Sequence, residues 1–141
     1  MTHELTTCLW YDGKAKEAAE YYCSIFKDSK ITSENPMVVT FEINGSKFMG
    51  LNGGPMFSFN EAVSFVVTCD TQEEIDMYWN KLIANGGNES MCGWLKDKYG
   101  MSWQIVPASL GKLMSNPAKG ERVMQALLKM KKLDLKVLEE A

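Results

Sequence analysis

Apolar and polar positions along this chain run through one order of patterns and then through the same order again. A short apolar stretch, Leu5–Tyr11, reads as a strand and ends at Asp12-Gly13. Ala15, Ala18, Ala19, Tyr22, Ile25 and Phe26 then recur at helical spacing, so that helix has one apolar face. Its alanines allow close approach to a sheet. Lys30–Ser33 reads as a short strand, Glu34-Asn35-Pro36 as a turn, and Met37–Ile43 as a longer strand. Asn44-Gly45 is a two-residue hairpin signal into Ser46–Leu51.

The second round opens with Ala62–Cys69, an almost unbroken apolar run, which predicts a strand covered on both faces. Thr71 and Glu74 make a capping box. Ile75, Tyr78, Trp79, Leu82 and Ile83 form the stripe of a second helix, and Asn85-Gly86-Gly87 ends it with a left-handed cap. Gly93–Leu95 and Met101–Val106 form a hairpin-like pair around Lys96–Gly100, closed by Pro107. The letters of the two rounds barely match, so the repeat is one of pattern. It predicts an α+β fold of two modules, about 5–54 and 60–107, enclosing a cleft between curved half-sheets.

Residues 108–141 follow a different rhythm. Leu110, Leu113 and Met114 mark a helical turn or two, Asn116-Pro117 breaks it, and Val123, Ala126, Leu127 and Met130 line one face of a further helix. Asp134 caps a last one through Leu138. An apolar stripe of that length must pack on the body or on a second subunit.

Composition removes several classes of function. The formal charge is −3 and no Lys/Arg cluster interleaves with aromatics, which argues against nucleic-acid binding. Lys129, Lys131 and Lys132 fit a solvated helix end, where cations are favoured. No apolar stretch reaches the roughly 18 residues of a membrane span. No apolar leader stands behind the N-terminus. Cys8, Cys23, Cys69 and Cys92 show no paired spacing, so reduced thiols and a cytoplasmic location are expected.

The inventory of reactive groups is thin. His3 is the single histidine, and no HExxH, CxxC or phosphate-cradling motif is present. Asn52-Gly53-Gly54 either presents backbone N–H groups to an anion or simply joins the modules; the joining turn is the better reading. Cys92, before Gly93-Trp94, is the weak candidate for a nucleophile. Without a base beside it, a packed thiol explains it better. Aromatics are denser: Trp10, Phe57, Phe59, Phe65, Trp94 and Trp103 fall on or beside strands, as core or as a ligand wall. On the last strand Met101, Trp103 and Ile105 point one way, and Ser102, Gln104 and Val106 the other. The larger apolar set should face the helices, which turns Gln104 to the concave face.

The segments CLWYDGKAKEAAEYYCSIF, FEINGSKFMGLNGGP, EAVSFVVTCDTQEEIDMYWNKL, CGWLKDKYGMSWQIVP and RVMQALLKMKKLDL together resemble the PhnB-like branch of the vicinal oxygen chelate superfamily. That superfamily includes glyoxalase I, extradiol dioxygenases, and fosfomycin- and bleomycin-resistance proteins; the branch often carries the label 3-demethylubiquinone-9 3-methyltransferase. The resemblance implies paired βαβββ modules and commonly a homodimer. It places a metal near Thr7, near Met49–Leu51, at about Ser64 and at Gln104. Family metalloenzymes carry His and Glu there, whereas this chain offers hydroxyls, an apolar stretch and an amide, which hold a divalent ion weakly. No metal and no cofactor is therefore expected, and glyoxalase or dioxygenase chemistry is disfavoured. A methyl-donor site of the common α/β kind needs a glycine-rich turn after a first parallel strand, an order of elements this chain lacks. The Glu34-Asn35-Pro36 connection is shorter than in relatives.

The resulting expectation is a metal-independent binder of a small apolar or aromatic molecule in the inter-module cleft. Trp10, Phe65 and Trp94 would supply surface, and Thr7, Ser64 and Gln104 would orient the ligand. The alternatives are an enzyme (lyase, isomerase or transferase) in which Cys92 or Gln104 acts, and an assembly role.

Overall fold

A computed structural model describes residues 3–141. The chain divides into two compact units, one running to Phe59 and the other spanning Asn60–Ala141.

The first unit is a four-stranded mixed sheet carrying one helix. Its elements are β1 (Thr7–Tyr11), α1 (Ala15–Ile25), β2 (Ser29–Glu34), β3 (Val38–Ile43) and β4 (Ser46–Asn52), with sheet order β1-β4-β3-β2. β1 runs parallel to β4, and the other pairings are antiparallel. The apolar stripe of α1 (Ala15, Ala18, Ala19, Tyr22, Ile25) is buried, and Leu9, Tyr11, Val39, Phe41, Ile43 and Phe48 complete this core. Close approach of helix and sheet is visible at Gly50, where an added Cβ would stand 3.0 Å from Ala15 Cβ. Asn44 and Gly45 both have positive φ, the conformation of the two-residue hairpin turn that their pairing signals.

The second unit repeats the plan with β5 (Ser64–Cys69), α2 (Gln72–Ile83), β6 (Asn88–Glu89), β7 (Trp94–Lys96) and β8 (Ser102–Pro107), in sheet order β5-β8-β7-β6. β5 runs parallel to β8. The Thr71 hydroxyl accepts from Glu74 N at 3.2 Å, and a Glu74 carboxylate oxygen accepts in return from Asp70 N at 3.3 Å. The cap therefore closes one residue earlier than the standard box. Asn85 and Gly86 end α2 with positive φ. β6, with no apolar residue, carried no signal in the sequence. The apolar run of β5 departs from expectation: Phe65, Val67 and Cys69 turn to the helix side, while Val66 is 56% exposed and Thr68 is exposed. This strand alternates and has one open face.

The tail forms α3 (Leu110–Met114), α4 (Gly120–Leu127) and α5 (Leu135–Glu140). Asp134 caps α5 by accepting from Val137 N at 3.1 Å. Val123, Leu127, Leu133 and Leu138 make a small core, against which Cys92, Val106 and Leu110 pack. The tail is thus part of the second unit. Its backbone is sewn in by Cys92 N to Met130 O (2.7 Å) and Gly93 N to Lys131 O (2.8 Å).

Candidate functional site

The second sheet presents one face to α2; the other is open around Val66 and Thr68 and covered by the tail at Val106. Alternation on β8 puts Trp103 and Ile105, both buried, on the helix side and Ser102, Gln104 and Val106 on the open side. Register then fixes the neighbours of Gln104, with Val66 directly across on β5 and Trp94 directly across on β7. Gln104 Nε2 donates to Ser64 Oγ at 3.0 Å. Gln104, Ser64 and Trp94 therefore meet on one face, and all three are half-buried.

The turn before β8 sets where these residues stand. Asp97 is 2% exposed, and its carboxylate accepts from Tyr99 N (2.8 Å), Met101 N (3.1 Å) and Trp103 Nε1 (2.9 Å). One buried anion thus fastens the turn and the first helix-facing ring of β8 together. With Trp103 fixed on one side, Gln104 is fixed on the other.

Beside the Gln104 pair lies a hollow of about 260 Å³ with Glu61, Asn88, Trp94, Lys96 and Ser102 in its wall. Ser102 stands opposite Ser64 on one side and Lys96 on the other. It is 1% exposed, and its Oγ has no hydrogen-bond partner among the described residues. Lys96 pairs with Glu61, and that bond holds the Glu61 carboxyl below its usual range. Neither Lys96 nor Glu61 stood out in the sequence. Ser102 did only through its parity with Gln104, because a serine carries no signal of its own.

The structure separates the remaining expected site residues. Phe65 faces α2, not the open side: it pairs with Trp103 across the strands, and their rings meet edge-on at 5.3 Å. Thr7 and Trp10, three positions apart on β1, lie on opposite faces. Thr7 stands exposed in a shallow hollow with Glu4, Leu5 and Lys47. Trp10, out of phase with the buried Leu9 and Tyr11, lies on the face of its sheet away from α1, where the Gly53–Phe57 segment covers it. Its Nε1 donates to Gly54 O at 2.8 Å, its ring meets Phe57 at 4.8 Å, and a Cβ on Gly53 would fall 2.3 Å from the indole. Gly53 N and Gly54 N both donate to Tyr11 O, so this turn spends its N–H groups on its own strand.

Cys92 sits at φ 60°, ahead of Gly93 at 85°, in a strained turn held by the tail. It is half-buried against the tail core. Cys69 is fully buried, and burial first, then Glu74 and Asp70, pushes its thiol up to about 11, so it is no nucleophile near neutral pH. His3 is exposed.

The fold implies places for a metal, and the residues there do not fit one. Ser64 and Gln104 are neutral and bonded to each other. Among the described residues no three His, Cys, Asp or Glu side chains converge.

The family model for 3-demethylubiquinone-9 3-methyltransferase matches residues 3–106. The chain belongs to that family. Within the 3-demethylubiquinone-9 3-methyltransferase family and its structural relatives, the PhnB protein from Bacillus cereus is 37% identical, with a TM-score of 0.68 over 75% of this chain and 100% of that one. PA1353 from Pseudomonas aeruginosa is 17% identical, with a TM-score of 0.61 over 75% and 98%. A glyoxalase-related enzyme from Fulvimarina pelagi is 14% identical, with a TM-score of 0.55 over 77% and 91%. The last two show the fold alone, an α+β fold similar to that of a glyoxalase-related enzyme. No curated protein matches the chain. No helix among the described residues is long and apolar enough to cross a membrane.

Proposed function

We propose that this protein binds a small, largely apolar or aromatic molecule on the open face of its second sheet, without a metal. The observation that carries this reading is the Gln104–Ser64 pair, hydrogen-bonded on an open strand face and flanked by Trp94 and Val66. A ring surface, an exposed aliphatic group and a positioned amide are the parts of a binding site: apolar area for affinity and few polar atoms for orientation. The Gln104 carbonyl oxygen makes no bond among the described residues and is available to a ligand donor.

The family description names methyl transfer to a demethylated ubiquinone. Such a transfer needs a bound methyl donor and a base to take the acceptor's proton. The open face offers hydroxyls, an amide and a lysine already paired with Glu61. Non-covalent binding of a ring compound is the part of that description these residues support. Assembly as a homodimer and a cytoplasmic location complete the proposal; light scattering at micromolar concentration tests the first.

A thermal-shift screen with quinones and aromatic antibiotics tests the binding reading. A ligand at 100 times its dissociation constant should add about 2.7 kcal/mol of stability. Gln104→Leu should fold normally, because the side chain is half-buried, and should lose the response. Unchanged binding in that variant, or no stabilising compound at all, would refute the proposal.

A further inference from the structure

The hollow next to Gln104 has a chemistry that a neutral ring alone does not use. Two groups in its wall are out of balance. Ser102 is a buried hydroxyl with no hydrogen-bond partner among the described residues, and buried polar atoms ordinarily have one. Lys96 has a partner, but an exchangeable one. Lys96 is anchored on β7 with its side chain 37% exposed, whereas the Glu61 side chain comes from the turn before β5 and is 63% exposed. In such a pair the cation is the fixed member, and the carboxylate can be replaced by another anion. A second carboxylate, Glu89, also lines this hollow, and it is already engaged by Trp79 Nε1 at 2.7 Å. That bond to a buried indole ties Glu89 down, which leaves Glu61 as the exchangeable carboxylate of the wall.

We propose that this hollow takes the carboxylate of a small aromatic acid, held by the Lys96 ammonium and the Ser102 hydroxyl with the ring against Trp94, and that Glu61 is the built-in competitor the ligand displaces. The inference rests on the reading that the open face of the second sheet binds a small molecule; it adds the ligand's charge and the group that guards the site. Ser102 O–H donates to one carboxylate oxygen, and Lys96 supplies charge and a second donor. Ser102 and Lys96 face each other across β7–β8, which suits one planar anion between them.

The test is calorimetric titration of the full chain with sodium benzoate at fixed ionic strength, with benzamide as the neutral control of the same shape. Benzoate should saturate and benzamide should bind at least about tenfold more weakly, the value of a charge-assisted contact. Glu61→Gln should tighten benzoate about two- to fivefold, since an exposed ion pair competes with no more than that strength. Lys96→Met should weaken it about tenfold or more. Ser102→Ala should weaken it while leaving the melting temperature of the free protein unchanged or raised, because it deletes an unpaired buried hydroxyl. Equal binding of benzamide and benzoate, no tightening in Glu61→Gln, or no saturable benzoate binding would each overturn the anion site. If neutral aromatics still bind and depend on Gln104, only the anion site falls. If neither benzoate nor any neutral compound binds, the binding face falls with it.

Discussion

At the scale of single residues, two buried groups do opposite things. Asp97 is a carboxylate made permissible by three donors, two from the backbone of its own turn and one from Trp103. Asp97→Ala should strand all three and cost about 3 kcal/mol or more, read as a loss of midpoint in urea unfolding. Cys69 is a thiol made inert by burial. At pH 8 a disulfide-exchange reagent should label exposed Cys8 first and should reach Cys69 only on unfolding. Rapid labelling of Cys69 in the native protein would contradict its placement. The string from Asp97 to Pro107 was legible as a family signature, but the reason for its Asp was not. A turn of this length reads as solvated until Trp103 is known to fold back on it.

At the scale of elements, the helices were legible because their apolar spacing is local, whereas their attachments are not. α1 has no side-chain cap from its own preceding residue, Lys14. Ala15 N donates instead to Asn52 Oδ1 (2.9 Å), on a strand 37 residues later, and Asn52 Nδ2 donates to Pro36 O (3.1 Å). Asn52→Ala should cost about 1–2 kcal/mol, the value of a cap, measured by thermal unfolding. Its position before two glycines made it look like a turn residue only. The tail is tied to α2 by Gln72, which donates to Leu133 O and accepts from Leu135 N, and by the Asp76–Lys132 pair. Lys132 first, then Gln72, holds the Asp76 carboxyl below its usual range. A lowered carboxylate stabilises above its ordinary titration range and loses that contribution as pH falls through it. Amide exchange in α5 should therefore speed up in acid relative to α2, modestly, since the pair is exposed.

At the scale of the whole molecule, the family match stops at residue 106, and the helical tail lies beyond it. The tail nevertheless holds a core of its own and fastens Cys92 and Gly93 in a backbone conformation that non-glycine residues rarely adopt. Ending the chain after Pro107 would expose Val106 and Cys92 and release that turn. The truncated protein should unfold at lower temperature and aggregate; a melting temperature equal to the full chain's would show the tail to be dispensable.

Element order apart from β6, the two-module plan, the hairpin at Asn44-Gly45 and the side of β8 that Gln104 occupies were determined by the sequence itself, because each depends on spacing along one segment. The tertiary structure alone decided what meets what. It sent Phe65 to the helix and Trp10 onto Gly53, and it put Thr7 across the sheet from Trp10. It also brought Lys96 and Ser102 opposite each other. Alternation within a strand is a local property, but which face is open, and which distant group covers the other, is settled only when the strands pair.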